Sequence, residues 1–281
     1  YDYTIHNDKM RICCFDIGEK NLPFYIEDIH ADDMATLKSL STSYSKLTNK
    51  QCTKLPDCPL GYCDEYVNII HQVYKTSKRI YFNVFDVSDD NKITVRRNIF
   101  SLLDKHKSKL ELCDVFRIEE QHKARSPKGG FDINIDMLSI ADCVVDWLLL
   151  NFPDKDTQFF SSKFKTDELD CIKKFSSKDK RKEWSSSKFF TIHCDMKGDE
   201  AMKYLKSSMD ELYRKHLDKE EVRQRYKDMF INKYSKMCDD YIVDVYDNYV
   251  DHRQKSDDYA DFYLMIQAYK MRKYVKSCEQ C

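Results

Sequence analysis

The chain has 281 residues, 47 of them basic and 48 acidic, a net charge of −1 and a hydrophobic content of 42%. It is long enough to bury a sizeable core, too apolar to be disordered, and too balanced in charge to be a polycation that coats nucleic acid. No apolar run approaches the roughly 18 residues of a membrane span; the longest, Cys143 to Leu150, is interrupted by Asp146. No secretory signal is visible in the sequence, which starts at Tyr1 without a methionine, and the 12 cysteines are expected to stay reduced in an intracellular compartment.

The chain is organised around Arg11-Ile12-Cys13-Cys14-Phe15-Asp16-Ile17-Gly18-Glu19-Lys20-Asn21. The apolar run Ile12 to Phe15 is too short for a helix and predicts a buried strand that delivers Asp16 at its end. Gly18 permits a sharp turn or a close backbone approach. Phe24 to Ala31 predicts a second strand antiparallel to the first. Ser41 to Tyr62, polar and carrying Pro56, Pro59 and Gly61, reads as an insertion or long loop.

Further along, Ile80 to Val87 predicts a strand. Ile93 to His106 predicts a helix, with Val95, Ile99, Leu102 and Leu103 at helical spacing. Val115 to Ile118 predicts a strand that again ends in acid, at Glu119. After Gly129-Gly130, Ile133 to Leu148 predicts a strong helix ended by Pro153, and Gln158 to Ser161 another strand. Met196 to Tyr249 is helical, charged and almost free of Gly and Pro, an inserted arm. A final helix begins near Ser256. Strands early with helices between and after them predict a mixed α/β domain.

Cys13, Cys14, Cys113 and Cys143 lie in apolar runs, where thiols pack as small hydrophobes. Cys52, Cys58, Cys63 and His71 match no compact zinc pattern. The sequence Asp257-Asp258-Tyr259-Ala260-Asp261 sets acids three and four apart, on one face of a helix. An N-terminal cap accounts for one or two of them. It does not account for Asp16 and Glu119 at strand ends upstream. If these carboxylates converge, their charge calls for hard divalent cations, Mg²⁺ or Mn²⁺, and two such ions suit phosphodiester hydrolysis.

Four blocks in order, Cys14-Phe15-Asp16-Ile17-Gly18-Glu19-Lys20-Asn21, Ile118-Glu119-Glu120-Gln121, Lys180-Arg181-Lys182 and Asp257-Asp258-Tyr259-Ala260-Asp261, resemble the motifs of poxvirus-type Holliday junction resolvases, a RuvC-like branch of the RNase H-like superfamily. The yeast-type mitochondrial resolvases are similar. The resemblance implies an RNase H-like mixed five-stranded sheet flanked by helices, a homodimer, and paired incision of branched DNA with two Mg²⁺ ions per site, for which Mn²⁺ can substitute. It makes Asp16, Glu119, Asp258 and Asp261 the metal ligands and Lys182 the catalytic lysine, with Lys180 as the near alternative. It implies action at cytoplasmic sites of viral DNA replication, or alternatively in the mitochondrion.

The chain is longer than compact members of that family. One domain spanning residues 1–281 is expected, with insertions at 46–78 and, before the last helix, at 188–250. Lys123, Arg125, Lys128, Lys163, Lys165, Lys180 and Arg181 are expected to contact DNA phosphates. Phe131, Phe164 and Trp184 can stack on an opened base, with core packing the preferred reading for Phe131 and Phe164. The helix after Glu119 is the expected dimer contact, through Ile140, Val144, Trp147 and Leu148. The arm is expected to stabilise structure or dimer rather than clamp DNA, because acids are mixed among its lysines.

Rival readings are weaker. Asp-x-Gly after a strand also opens the phosphate loops of actin-like ATPases, but those need glycine-rich loops and the chain has only five glycines. D-D-x-x-D also serves Mg²⁺-diphosphate enzymes, which are all-helical. A non-catalytic branched-DNA-binding scaffold of the same fold is the remaining alternative.

Overall fold

β1 (Lys9–Phe15) is buried on both faces: Ile12, Cys13, Cys14 and Phe15 have no exposed surface. A strand covered on both sides reads as a continuous apolar run rather than an alternating one, which is what Ile12 to Phe15 shows. It is the centre of a five-stranded sheet, with β2 (Asn21–His30), β3 (Lys78–Asp86), β4 (Val115–Glu120) and a fifth strand, Asp156–Ser161. The order is β3-β2-β1-β4 and then Asp156–Ser161; β2 is antiparallel to β1 and β3, whereas β4 runs parallel to both β1 and Asp156–Ser161. This is the mixed five-stranded α/β sheet that the resemblance implies.

The computed structural model describes residues 8–18, 20–49, 64–121, 124–125, 131–132, 135–161, 163–169, 181–182, 184–185 and 256–277. The chain divides into two compact units, Tyr1–Ile172 with Met265–Cys281, and Lys173–Leu264. The predicted arm and Cys52, Cys58 and Cys63 lie outside the described residues. Among the described residues no helix is long and apolar enough to cross a membrane.

Helices cover both faces of the sheet. In chain order they are α1 (Ala31–Asn49), α2 (Asp64–Lys75), α3 (Lys92–Lys105), the single turn α4 (Lys107–Leu110) and, after the two-residue strands β5 (Ala124–Arg125) and β6 (Phe131–Asp132), α5 (Ile135–Asn151). The fifth sheet strand is β7. α6 (Phe164–Glu168) follows it, and α7 (Ser256–Lys270) continues into a π-helical turn at Met271–Lys276.

One face is a continuous core. Cys13, Phe15 and Ile17 meet Phe24 and Ile26 of β2, Phe116 and Ile118 of β4, Ile99 and Leu103 of α3, and Ile140, Val144, Trp147 and Leu148 of α5. The alternation is the period-two rule of a strand. Trp147 Nε1 donates to Asp104 Oδ1 at 2.9 Å, which satisfies the indole and ties α5 to α3.

This packing corrects two expectations. Ile140, Val144, Trp147 and Leu148 are all within the chain's own core, so this stripe of α5 is not free to meet a second subunit. Ser41 to Asn49 is helix rather than loop. α1 buries Met34, Leu37, Leu40, Ser41 and Tyr44, a three-and-four spacing hidden by the Ser and Thr residues between them.

The opposite face carries Ile12 and Cys14 of β1, Tyr25 and Glu27 of β2, and Arg117 of β4, by register. The second half of α7 lies over it. Lys270, fully buried, donates from Nζ to Glu27 Oε1 at 2.8 Å, to the Thr76 carbonyl at 2.6 Å and to Ser77 Oγ at 2.8 Å. Gln267 Nε2 reaches the other Glu27 oxygen at 3.3 Å. The Arg117 guanidinium lies under the Tyr269 ring, 4.9 Å from its centroid, and bonds Asp156.

Candidate active site

The two parallel strands β1 and β4 place the candidate site. Their register runs Ile12–Val115, Cys13–Phe116, Cys14–Arg117 and Phe15–Ile118, so the next step along it sets Asp16 beside Glu119. Neighbouring strands lie about 4.8 Å apart, so the two acids stand as neighbours across the sheet. Both follow the face of Cys14 and Arg117, opposite the main core, because side chains alternate along a strand. Glu119 is 8% exposed and Asp16 is half-buried.

The turn after β1 is tight. Gly18 N donates to the Asn21 carbonyl at 3.0 Å and Asp16 N to the Pro23 carbonyl at 3.3 Å. A Cβ on residue 18 would lie 2.9 Å from the Asn21 oxygen, inside van der Waals contact. The glycine thus serves the turn itself, and the turn sets where Asp16 leaves the sheet.

Gln121 was quoted in the motif without a role. Its side chain crosses from the end of β4 to the turn after β1. Nε2 lies 3.4 Å from the Ile17 carbonyl and 3.5 Å from Glu119 Oε2, so it bridges the segments that carry the two acids. The signal for it was positional: two residues beyond Glu119, it shares that residue's face.

Behind the pair the face is sealed. Burial pushes the Cys14 thiol well up, against the opposing pull of Arg117, so Cys14 stays a neutral packing group. Burial likewise raises the Tyr269 phenol, which stacks over Arg117.

Of the four predicted acids, Asp16 and Glu119 follow the last register pair of β1 and β4, Phe15–Ile118. Asp258 and Asp261 are on α7, as the helix-start reading expected; the Asp258 side chain lies outside the described residues, and Asp261 is buried. Both belong to the second unit. Among the described residues no group of three or more His, Cys, Asp or Glu side chains is placed to hold a metal ion. The Asp16–Glu119 pair has the oxygen chemistry a hard divalent cation needs, and by itself supplies half of a four-carboxylate set.

The basic residues divide. Lys163 is exposed just before α6 and is available to a phosphate. Lys165 is corrected: it is 2% exposed, so its ammonium does not reach the surface. Arg181 and Lys182 are half-buried in the second unit. Lys123, Lys128 and Lys180 lie outside the described residues, and Arg125 sits in β5 with its side chain outside them. Phe164 is core, stacked on Phe160 at 3.9 Å between centroids.

No protein-family model matches the chain, and no curated protein matches it. Among solved structures, the chain is similar to Thermus thermophilus RuvC at 8% identity and a TM-score of 0.38, over 65% of this chain and 80% of that one. A second similar structure, T. thermophilus RuvC in complex with Holliday junction substrate, gives 9% identity and a TM-score of 0.34, over 57% of this chain and 69% of that one. The Aquifex aeolicus PPX-GPPA enzyme aligns over 96% of this chain and 93% of its own at 7% identity and a TM-score of 0.27. Scores this low carry no argument, and the functional reading rests on the chain's own residues.

Proposed function

We propose that this chain is a Mg²⁺-dependent endonuclease that cuts branched DNA, four-way junctions foremost. The observation that carries the reading is the parallel β1–β4 register, which ends at Phe15–Ile118 and whose next step sets Asp16 beside Glu119 on one face of the sheet. Two acids side by side at strand ends, with a glutamine bridging Glu119 and the turn after Asp16, are hard to account for as packing. Asp258 and Asp261, from the last helix, complete the four-carboxylate set in this proposal. Two bound Mg²⁺ ions would supply the charge that stabilises the attacking and leaving oxygens of the phosphodiester.

The chain's own residues have separate tasks. The Gly18 turn aims Asp16, and Gln121 restrains Glu119. Lys182 is the proposed catalytic cation, with Lys180 as its alternative. Lys123, Arg125, Lys128, Lys163, Lys180 and Arg181 hold phosphates without reading sequence. A two-fold homodimer would give paired cuts, through a surface other than the buried stripe of α5. The poxvirus-type assignment over the mitochondrial one, and with it the site of action, rests on motif order alone.

The test compares wild type, Asp16→Asn and Glu119→Gln on four-way, three-way, flap and linear DNA with and without Mg²⁺. Cutting by the wild type should favour branched substrates and fall by orders of magnitude in either variant, while DNA binding persists. Full cutting in both variants removes the acids from the mechanism. Binding of junctions by the wild type with no cutting under Mg²⁺ or Mn²⁺ instead favours the scaffold.

A further inference from the structure

A cavity of about 320 Å³ opens where the N-termini of α3 and α5 meet the turn that follows β1. It lies at the sheet end that carries Asp16, since Lys20, four residues on in the same turn, lines it and the Lys20 carbonyl accepts from Val87 N at 2.8 Å. That volume is at the small end of the roughly 300–1,000 Å³ range of small-molecule sites. The candidate active site lies on the other face of the sheet and does not use it.

The cavity has an apolar floor and a charged rim. Val95, Ile99 and Ile140 form the floor, with Ile99 and Ile140 essentially buried. At the rim, several charges are already engaged. Lys92 pairs with Asp136 at 2.7 Å, and Asp89 Oδ1 accepts from Asn91 N at 2.8 Å. Asn91 caps α3, accepting from Ile93 N at 2.8 Å, so that helix end is satisfied by the chain itself.

What is left at the rim is Lys20, Arg96 and Asp90. Arg96 donates to Ser139 Oγ at 3.1 Å. Among the described residues neither Lys20 nor Arg96 is ion-paired with a carboxylate. Lys20 acts on the Asp86 carboxyl only through space. Among the described residues the rim thus offers two cations without a carboxylate in ion-pair contact and the Asp90 carboxylate, above an apolar floor. This set matches one ligand class well. A nucleotide offers a flat apolar face, ring N–H groups and an attached phosphate.

We propose that this cavity binds a nucleotide, with its base against Val95, Ile99 and Ile140, its phosphate held by Lys20 and Arg96, and Asp90 accepting from a base N–H. In the nuclease reading this would be a nucleotide unstacked at the branch point and held at the sheet end that carries Asp16, on the face opposite the scissile site. That placement rests on the proposed function; the binding of a nucleotide to the cavity does not.

The experiment labels isoleucine methyl groups in the full chain and titrates each of the four deoxynucleoside monophosphates. The Ile99 and Ile140 methyl resonances should shift with at least one of them. Arg96→Ala and Lys20→Ala, both at the exposed rim, should each weaken that response about tenfold, the worth of one charge-assisted hydrogen bond. Absence of any shift at these methyls overturns the inference. So does an equal response to inorganic phosphate, which makes the cavity an anion site only, or an unchanged response in both variants. Nucleotide binding in a chain that neither binds nor cuts junctions leaves the cavity standing and sinks the nuclease reading.

Discussion

Lys270 Nζ lies 2.8 Å from Glu27 Oε1, with the lysine fully buried and the glutamate nearly so. Around this pair gather other departures from regular structure. The β2–β3 ladder slips register between Ile26 and Glu27, and Ser77 adopts a φ of 97°. Ser77 Oγ also contacts Glu27. A bulge re-aims a strand side chain, here Glu27 toward the helix above it. The pair fixes the last part of α7 to the sheet.

Removing one partner leaves the other charged and uncompensated in the interior. Lys270→Ala should therefore cost about 3–5 kcal/mol in a urea unfolding experiment. The double variant Lys270→Met with Glu27→Gln removes both charges at similar volume and should recover most of that loss. A Lys270→Ala protein as stable as wild type would show that the lysine is not held in this network.

His106 makes stability depend on pH. It sits between α3 and α4 against the rings of Phe24, Tyr81 and Phe85, at centroid distances of 5.4, 5.3 and 5.1 Å. Burial, then Lys109 and Lys105, lower its pKa below the usual histidine value. The unfolded chain thus takes up a proton near pH 6.5 that the folded chain refuses. The contribution is complete above about pH 6.5 and is lost as pH falls below it toward the folded pKa. Urea midpoints should drop between pH 7.5 and 5, and His106→Phe should flatten that slope. An identical slope in the variant would assign the effect to other groups.

Asp28 acts in a separate window. Burial raises its pKa, but hydrogen bonds from Arg11 and Lys9 outweigh burial and hold it below the usual carboxylate range. Its stabilisation is present above the unfolded pKa near 3.9 and is lost as pH falls through the lower folded value. Asp28→Asn should abolish that acid-side loss and lower stability at neutral pH, because Arg11 is left buried without its counter-charge. Unfolding curves at pH 7 and pH 3 for both proteins check this.

These cases mark what could be read in advance. β1, β4 and their acidic ends were legible because a short apolar run followed by an acid is a local signal, and their pairing then brings Asp16 to Glu119. α1 was half-missed because its buried stripe is diluted by Ser and Thr. The four α5 residues named as dimer contacts were misassigned because that helix is apolar on most of its surface. Spacing alone does not say whether a sheet or a second subunit covers the stripe. Lys270 carries no sequence signal beyond being a cation in the last turn of α7. Its partner lies 243 residues away, and no local pattern reports a contact of that range.

Gly18→Ala tests how much the acid's position depends on the turn. The added Cβ would meet the Asn21 oxygen at 2.9 Å, and that oxygen is already the acceptor for Gly18 N. The backbone must shift, at about 1–3 kcal/mol by analogy with overpacking. If the proposed junction cutting holds, it should fall more than this instability alone produces, because the shift carries Asp16 with it. A variant with wild-type stability and wild-type cutting would show that the turn has slack.

Gln121 provides the sharpest separation of positioning from structure. It is half-buried and touches the Ile17 carbonyl and Glu119 Oε2 at 3.4 and 3.5 Å, contacts too long to contribute much stability. Gln121→Ala should leave the thermal midpoint nearly unchanged while freeing the Glu119 carboxylate to rotate. If Asp16 and Glu119 bind Mg²⁺, the variant should need roughly tenfold more metal for half-maximal cutting, as loss of an outer partner does at metal sites. Mn²⁺ titration followed by electron paramagnetic resonance reads the same change without relying on catalysis. Gln121→Glu should be worse than alanine, since a second carboxylate beside Glu119 competes for the ion in the wrong place. Unchanged Mn²⁺ affinity in both variants would leave Gln121 as a turn contact and remove it from the site.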